Sequence, residues 1–167
     1  SLDGGRVLVL NESGYFVSQQ GLSVDFDSGT VMDIDSGGSH VLTGPISAVS
    51  AENGSFIAMG QTIHLSTEMA SNLVEGDYVA VLGTVVASGH VYADLVGVYS
   101  TDYVAGSSGV VVEGIPSSFD SLNGGLTVGK LTVDIAADMK ARAISGGDTV
   151  RLSGIQPVHG GIMIVFP

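Results

Sequence analysis

Gly44 to Tyr99 reads GPISAVSAENGSFIAMGQTIHLSTEMASNLVEGDYVAVLGTVVASGHVYADLVGVY. Gly114 to Pro167 repeats the pattern as GIPSSFDSLNGGLTVGKLTVDIAADMKARAISGGDTVRLSGIQPVHGGIMIVFP. Gly44 aligns with Gly114, Ser47 with Ser117, Asn53-Gly54 with Asn123-Gly124, Thr62 with Thr132 and Met69 with Met139, all without a gap. One inserted residue near Gly146 shifts the register. Gly76-Asp77 then aligns with Gly147-Asp148, and Val79, Gly83 and Gly89 align with Val150, Gly154 and Gly160. The shared residues are mostly turn formers, as expected of two copies that share a chain path rather than a binding site.

Within the first copy the spacing predicts strand, hairpin, strand, strand, short helix, strand, strand. Val41 to Ser50 is the first strand. Asn53-Gly54 suits a two-residue turn with φ > 0 at both positions. Phe56 to Met59 and Thr62 to Leu65 follow, separated by Gly60. Ser66 or Thr67 caps a helix with Glu68 in its first turn, where the helix dipole favours an acid. Met69, Leu73 and Val74 are expected on its inner face. Tyr78 to Val86 and His90 to Tyr99 form a second hairpin. The second copy gives Val110 to Phe119, Leu126 to Val128, Leu131 to Ile135, a helix over Ala137 to Ile144, Thr149 to Ile155 and Ile162 to Phe166.

Five strands with a helix between the third and fourth is the order of an OB-like barrel. The predicted fold is all-β with short helices. It has tandem OB-like small β-barrels at residues 40–104 and 105–167, preceded by an N-terminal β-strand segment at 1–39 that reads as a truncated repeat. In that segment Leu22, Val24 and Phe26 alternate and are expected to face inward. The pattern Gly44-x-Ile46, Gly60-Gln61-Thr62-Ile63, Gly76-Asp77-Tyr78-Val79 and Gly83 resembles small OB-like β-barrel repeat families of unknown function in bacterial envelope and secreted proteins. The resemblance covers 44–99 well and 114–166 more loosely, since Gly60-Gln61 becomes Lys130-Leu131. It implies a fold and brings no catalytic residues.

The 167 residues suit one ordinary domain or two small ones, and the composition is 44% hydrophobic but only 13% charged. The net charge of −12 repels phosphate backbones and anionic lipid, so nucleic-acid binding is not expected, and with no apolar run the length of a membrane helix neither is membrane insertion. With no cysteine there is no disulfide framework and no thiolate site. The chain starts without Met or a signal-peptide pattern, which fits a processed end and a trimmed chain alike. Acidic, Lys-poor, Gly/Ser/Val-rich composition points to a secreted or cell-surface protein.

His40, His64, His90 and His159 are not at metal-ligand spacing in sequence, and they read as ordinary polar residues. Asp25 and Asp27 share one strand face, as do Asp33 and Asp35. If the two strands pair, a Ca²⁺ ion would relieve the repulsion between them; the alternative is a solvated acidic face that blocks edge pairing. No other cofactor is expected. No nucleophile elbow, phosphate loop or dinucleotide fingerprint is present, so the chain reads as a non-enzyme. Asn11-Glu12-Ser13 and Asn53-Gly54-Ser55 match the glycosylation pattern.

The chain ends carry the remaining signal. Arg6, Val7, Leu8, Val9 and Leu10, and Ile162, Met163, Ile164, Val165 and Phe166, are apolar without alternation and call for cover on both faces. The last strand of the second copy stops short of its counterpart. An unpaired margin beside a greasy strand invites another chain. These ten residues, with Val110, Val111 and Val112, form the expected interface of a head-to-tail homopolymer at the cell surface. The alternatives are that Arg6 to Leu10 covers the gap in its own chain, or that the protein is a glycan- or peptide-binding module using Tyr78, Tyr92 and Tyr103.

Overall fold

The computed structural model describes residues 7–10, 12–33, 39–120, 122, 124–135 and 149–166. The N-terminal segment contributes β1 (Val7–Leu10), β2 (Gly14–Val17), β3 (Ser23–Phe26) and β4 (Thr30–Asp33). Barrel 1 contains β5 (Ser39–Ser50), β6 (Ser55–Ala58), β7 (Gln61–His64), the one-turn helix α1 (Thr67–Ala70), β8 (Tyr78–Ala87) and β9 (His90–Tyr99). It is a closed five-stranded barrel: β5 pairs β6, β6 pairs β7, β7 runs parallel to β9, β9 pairs β8, and β8 returns to β5.

The later strands are β10 (Val110–Gly114), β11 (Pro116–Asp120), β12 (Gly125–Val128), β13 (Leu131–Asp134), β14 (Val150–Ile155) and β15 (Met163–Val165). They pair in the same order. The strand that β5 makes unbroken is here divided at Ile115 into β10 and β11. β11 pairs β12, β12 pairs β13, β13 runs parallel to β15, and β14 joins β15 to β10. The helix expected over Ala137–Ile144 lies outside the described residues.

Alternation sets the core. In β6 and β12 every second side chain is buried, so Phe56 and Ala58, and Leu126 and Val128, point inward. One apolar cluster spans both barrels and includes Phe56, Ile63, Val81, Val96, Leu126, Val133, Leu152 and Met163. Removing a side chain the size of Phe56 from water is worth roughly 3 kcal/mol. Gly83 and Gly154 hold corresponding places where strands come closest. A Cβ at either would strike a carbonyl oxygen, that of Tyr92 or of Ile164.

The β6–β7 and β5–β6 connections differ from expectation. The φ > 0 pair is Met59-Gly60, at 51° and 71°. Asn53 instead ends a 3-10 turn, Ala51–Asn53, and Gly54 alone is left-handed. Ser66 caps α1 as read from sequence, its Oγ accepting from Met69 N at 3.1 Å. Met69 and Leu73 are buried, but Val74 is 62% exposed, because α1 ends before a second turn brings it inward.

The N-terminal strands form one bent ribbon. β1 pairs β4 and β2 pairs β3 in one common register, Leu10 facing Thr30 and Gly14 facing Phe26. β2 also pairs the last four residues of β9, joining the ribbon to barrel 1. Leu10 and Phe26 pack with Leu82, Phe16, Leu95 and Tyr99 in a small second core on the outside of that barrel. Leu22 and Val24, expected inward, are 66% and 63% exposed, because β3 is an edge strand that pairs only β2 among the described residues.

Candidate binding clefts

The expected calcium site depended on β3 facing β4. The two strands instead follow one another along one side of the ribbon, each paired to a different strand. Asp25 and Asp27 therefore lie farther along the same side as Asp33, and Asp35 lies outside the described residues. Among the described residues no three His or carboxylate groups gather as metal ligands.

The expected assembly residues divide as follows. Arg6 lies outside the described residues. Val7, Leu8, Val9 and Leu10 form β1, whose only partner among the described residues is β4; Leu10 is buried and Val9 is 48% exposed. Val110, Val111 and Val112 lie in β10, which pairs β14 along its whole length and β5 through Val111 and Val112. The short last strand still bridges its neighbours: β15 pairs β13 through Met163 and Ile164 and β14 through Ile164 and Val165, and Phe166 N donates to Ser153 O at 2.9 Å. Ile162, Ile164 and Phe166 keep exposed side chains.

The barrels are joined by several contacts. β5 pairs β10 through Thr43–Val111 and Leu42–Val112. The buried Gln61 amide donates to Val128 O at 2.7 Å. Arg151 of β14 donates to His40 O at 2.5 Å and faces His40 Nδ1 at 2.8 Å, with Glu113 at 3.5 Å. A guanidinium only donates, so His40 Nδ1 accepts and its Nε2–H donates to Thr43 Oγ1 at 2.6 Å. Burial, then the Arg151 charge, pushes the His40 pKa down to about 4, so the imidazole is neutral at pH 7.

Two clefts flank this junction. The larger, about 580 Å³, lies where the ribbon, the 100–109 linker and both barrels meet. Its walls include Val9, Tyr78, Tyr99, Val104 and Phe166, with Glu12 and Asp102 among its polar groups. Tyr78 stacks near Tyr99 at 5.1 Å and Tyr103 at 5.6 Å, and its hydroxyl donates to Gly109 O at 2.5 Å. Burial, then the neighbouring phenols and Glu12, raises the Tyr78 pKa to about 12. Glu12 is held by Thr101 Oγ1 at 2.7 Å. Three segments singled out for their apolar character, around Val9, Val111 and Phe166, thus meet at one place. The smaller cleft, about 430 Å³, is lined by Pro45, Met59, Lys130, Gln156, His159 and Gly160, among others.

Of the three tyrosines suggested as ligand contacts, Tyr78 and Tyr103 come together, while Tyr92 stands apart on β9. There it lies edge-on to His64 at 5.3 Å. His64 and His90, read from sequence as unrelated, sit side by side with Nε2 and Nδ1 3.0 Å apart. Parallel pairing of β7 with β9 brings them together, and sequence spacing holds no trace of it.

With this geometry in hand, the protein is a small-barrel protein with interfacial clefts. Residues 43–97, the heart of barrel 1, match the family model described as Domain of unknown function (DUF5666). Neither the curated proteins nor the solved structures gave a match to the chain. No helix among the described residues is long and apolar enough to cross a membrane.

Proposed function

We propose that the protein is a non-enzymatic, extracellular or cell-surface structural subunit built from two copies of an OB-like barrel. It associates with copies of itself through the N-terminal ribbon. The observation that carries this reading is the ribbon's margin. Among the described residues β3 pairs only β2, and β1 and β4 pair only each other, so backbone edges are left open. Beside those edges stand Val9, Leu22, Val24 and Val31, all exposed, with Val9 and Val31 directly opposite each other. Open edges flanked by apolar side chains add strands from a partner.

The charge of −12 opposes self-association, so association strengthens as salt screens it. Sedimentation of the full chain at rising protein and salt concentration tests the proposal, with electron microscopy of the concentrated sample. Association is expected in the wild type and at least tenfold weaker in Val24→Lys. A monodisperse monomer at every concentration and salt overturns the reading.

A second reading has its own support in the tyrosine cleft, whose volume falls within the range of about 300–1,000 Å³ typical of ligand sites. The protein would then be a glycan- or peptide-binding module. Glycan-array hits that disappear in Tyr78→Ala, from a protein that sediments as a monomer, favour that reading over the first.

A further inference from the structure

The two barrels meet through corresponding parts. Leu42 faces Val112, and in the ungapped alignment Leu42 and Val112 are counterparts. Thr43 faces Val111, the counterpart of Val41. An antiparallel pair in which a residue faces its own counterpart marks a two-fold axis, because such an axis exchanges the two strands. The hairpin tips give the same indication independently. Lys130 N donates to Gly60 O at 2.9 Å, and Gly60 and Lys130 are counterparts too.

The symmetry is incomplete, since Gln61 and Arg151, which reach across the junction, have Leu131 and Ala80 as counterparts. In barrel 1 the Ser88-Gly89 tip rests on barrel 2, with Ser88 Oγ donating to Ile115 O at 2.7 Å and Gly89 against Gly129. The corresponding tip of barrel 2, His159-Gly160, lines the 430 Å³ cleft together with Pro45 and Met59. Met59 stands where barrel 2 has Gly129. Its side chain packs over Gly44, where a Cβ would strike Met59 Cγ.

We infer that this junction is a self-complementary pairing surface carried inside one chain, and that the partner it fits is the corresponding barrel of a second copy. Barrel 1 of one molecule pairs with barrel 2 of another once molecules are concentrated enough to compete with the linker. The inference rests on the two-copy reading above but uses a different surface from the ribbon. A linker the length of 100–109 sets an effective concentration on the order of millimolar, so exchange becomes competitive at about that protein concentration. Mutual exchange closes a dimer, and one-sided exchange runs on as an open chain.

The absence of cysteine makes the test clean. Directly opposed strand residues lie about 4.5–5.5 Å apart at Cα, within disulfide reach. Full-length chains carrying Thr43→Cys alone and Val111→Cys alone are mixed, unfolded, refolded together at about millimolar concentration and oxidised. A disulfide-linked mixed dimer is expected at tenfold or more the yield of either chain refolded alone. The doubly substituted chain, refolded dilute, checks the register by closing its internal disulfide.

If the double variant closes but the mixture yields no more dimer than the single chains, the inference fails. Should the cysteine chains fold poorly, tagged and untagged Val24→Lys chains, whose ribbon association is weakened, decide the matter by co-purification after refolding together at the same concentration, and absence of untagged chain overturns it. Val24→Lys in both partners separates the two surfaces, because it weakens ribbon association at least tenfold and leaves the mixed disulfide intact.

Discussion

Barrel 1 ends in a strand of ten residues and barrel 2 in a strand of three, although both close in the same order. The difference shows how little strand a barrel of this kind needs. β15 bridges β13 and β14 with single short ladders, and that is enough to seal barrel 2. The last stretch of β9, from Val96 to Tyr99, does double work: Val96 to Val98 pair β8 on one side, and all four residues pair β2 on the other.

If the barrels are equivalent in their interiors, deleting corresponding core side chains should cost alike. Phe56 and Leu126 are counterparts, each 1% exposed. Phe56→Ala is expected to cost about 4 kcal/mol and Leu126→Ala about 3 kcal/mol. Both values should appear in one cooperative urea transition, since a single apolar cluster spans both barrels. Two separated transitions would break the equivalence.

His40 sharpens the comparison, because its counterpart is the buried Val110. The folded pKa of about 4 lies below the ordinary value of 6.5, so between those values the unfolded chain binds the extra proton. Stability from this residue is complete above pH 6.5 and falls as pH drops, losing about 3 kcal/mol by pH 4. His40→Val, which makes barrel 1 resemble barrel 2, should remove that part of the acid slope in urea titrations at pH 7 and pH 4. An unchanged slope would place the proton uptake elsewhere.

The smallest effect belongs to the helix. Ser66→Ala removes the acceptor for Met69 N and is expected to cost about 1 kcal/mol in thermal unfolding, with no change in self-association.

Period-two alternation and the glycine pattern made the barrels readable, because both arise from local backbone demands. Tertiary context decided what the sequence did not show. Leu22, Val24 and Phe26 alternate as an inward face, but only Phe26 finds cover, against Phe16 at 4.6 Å. Asn53-Gly54 carries the stronger hairpin signature, yet the tight turn forms at Met59-Gly60, where the tip meets barrel 2. Val110 to Val112 reads as a greasy margin because a strand between two others and a strand seeking a partner have the same composition. The clefts drew on residues too distant in sequence for any spacing argument, as with Tyr78, Tyr99 and Phe166.

The ribbon's attachment has a mechanical consequence. Four residues of β2, Gly14 to Val17, lie lengthwise against β9. A pull along the strand direction loads these rungs together in shear, so they resist as a group. A force applied across the ribbon peels them one at a time. The arm is therefore tough along its length and weak to being lifted from the side.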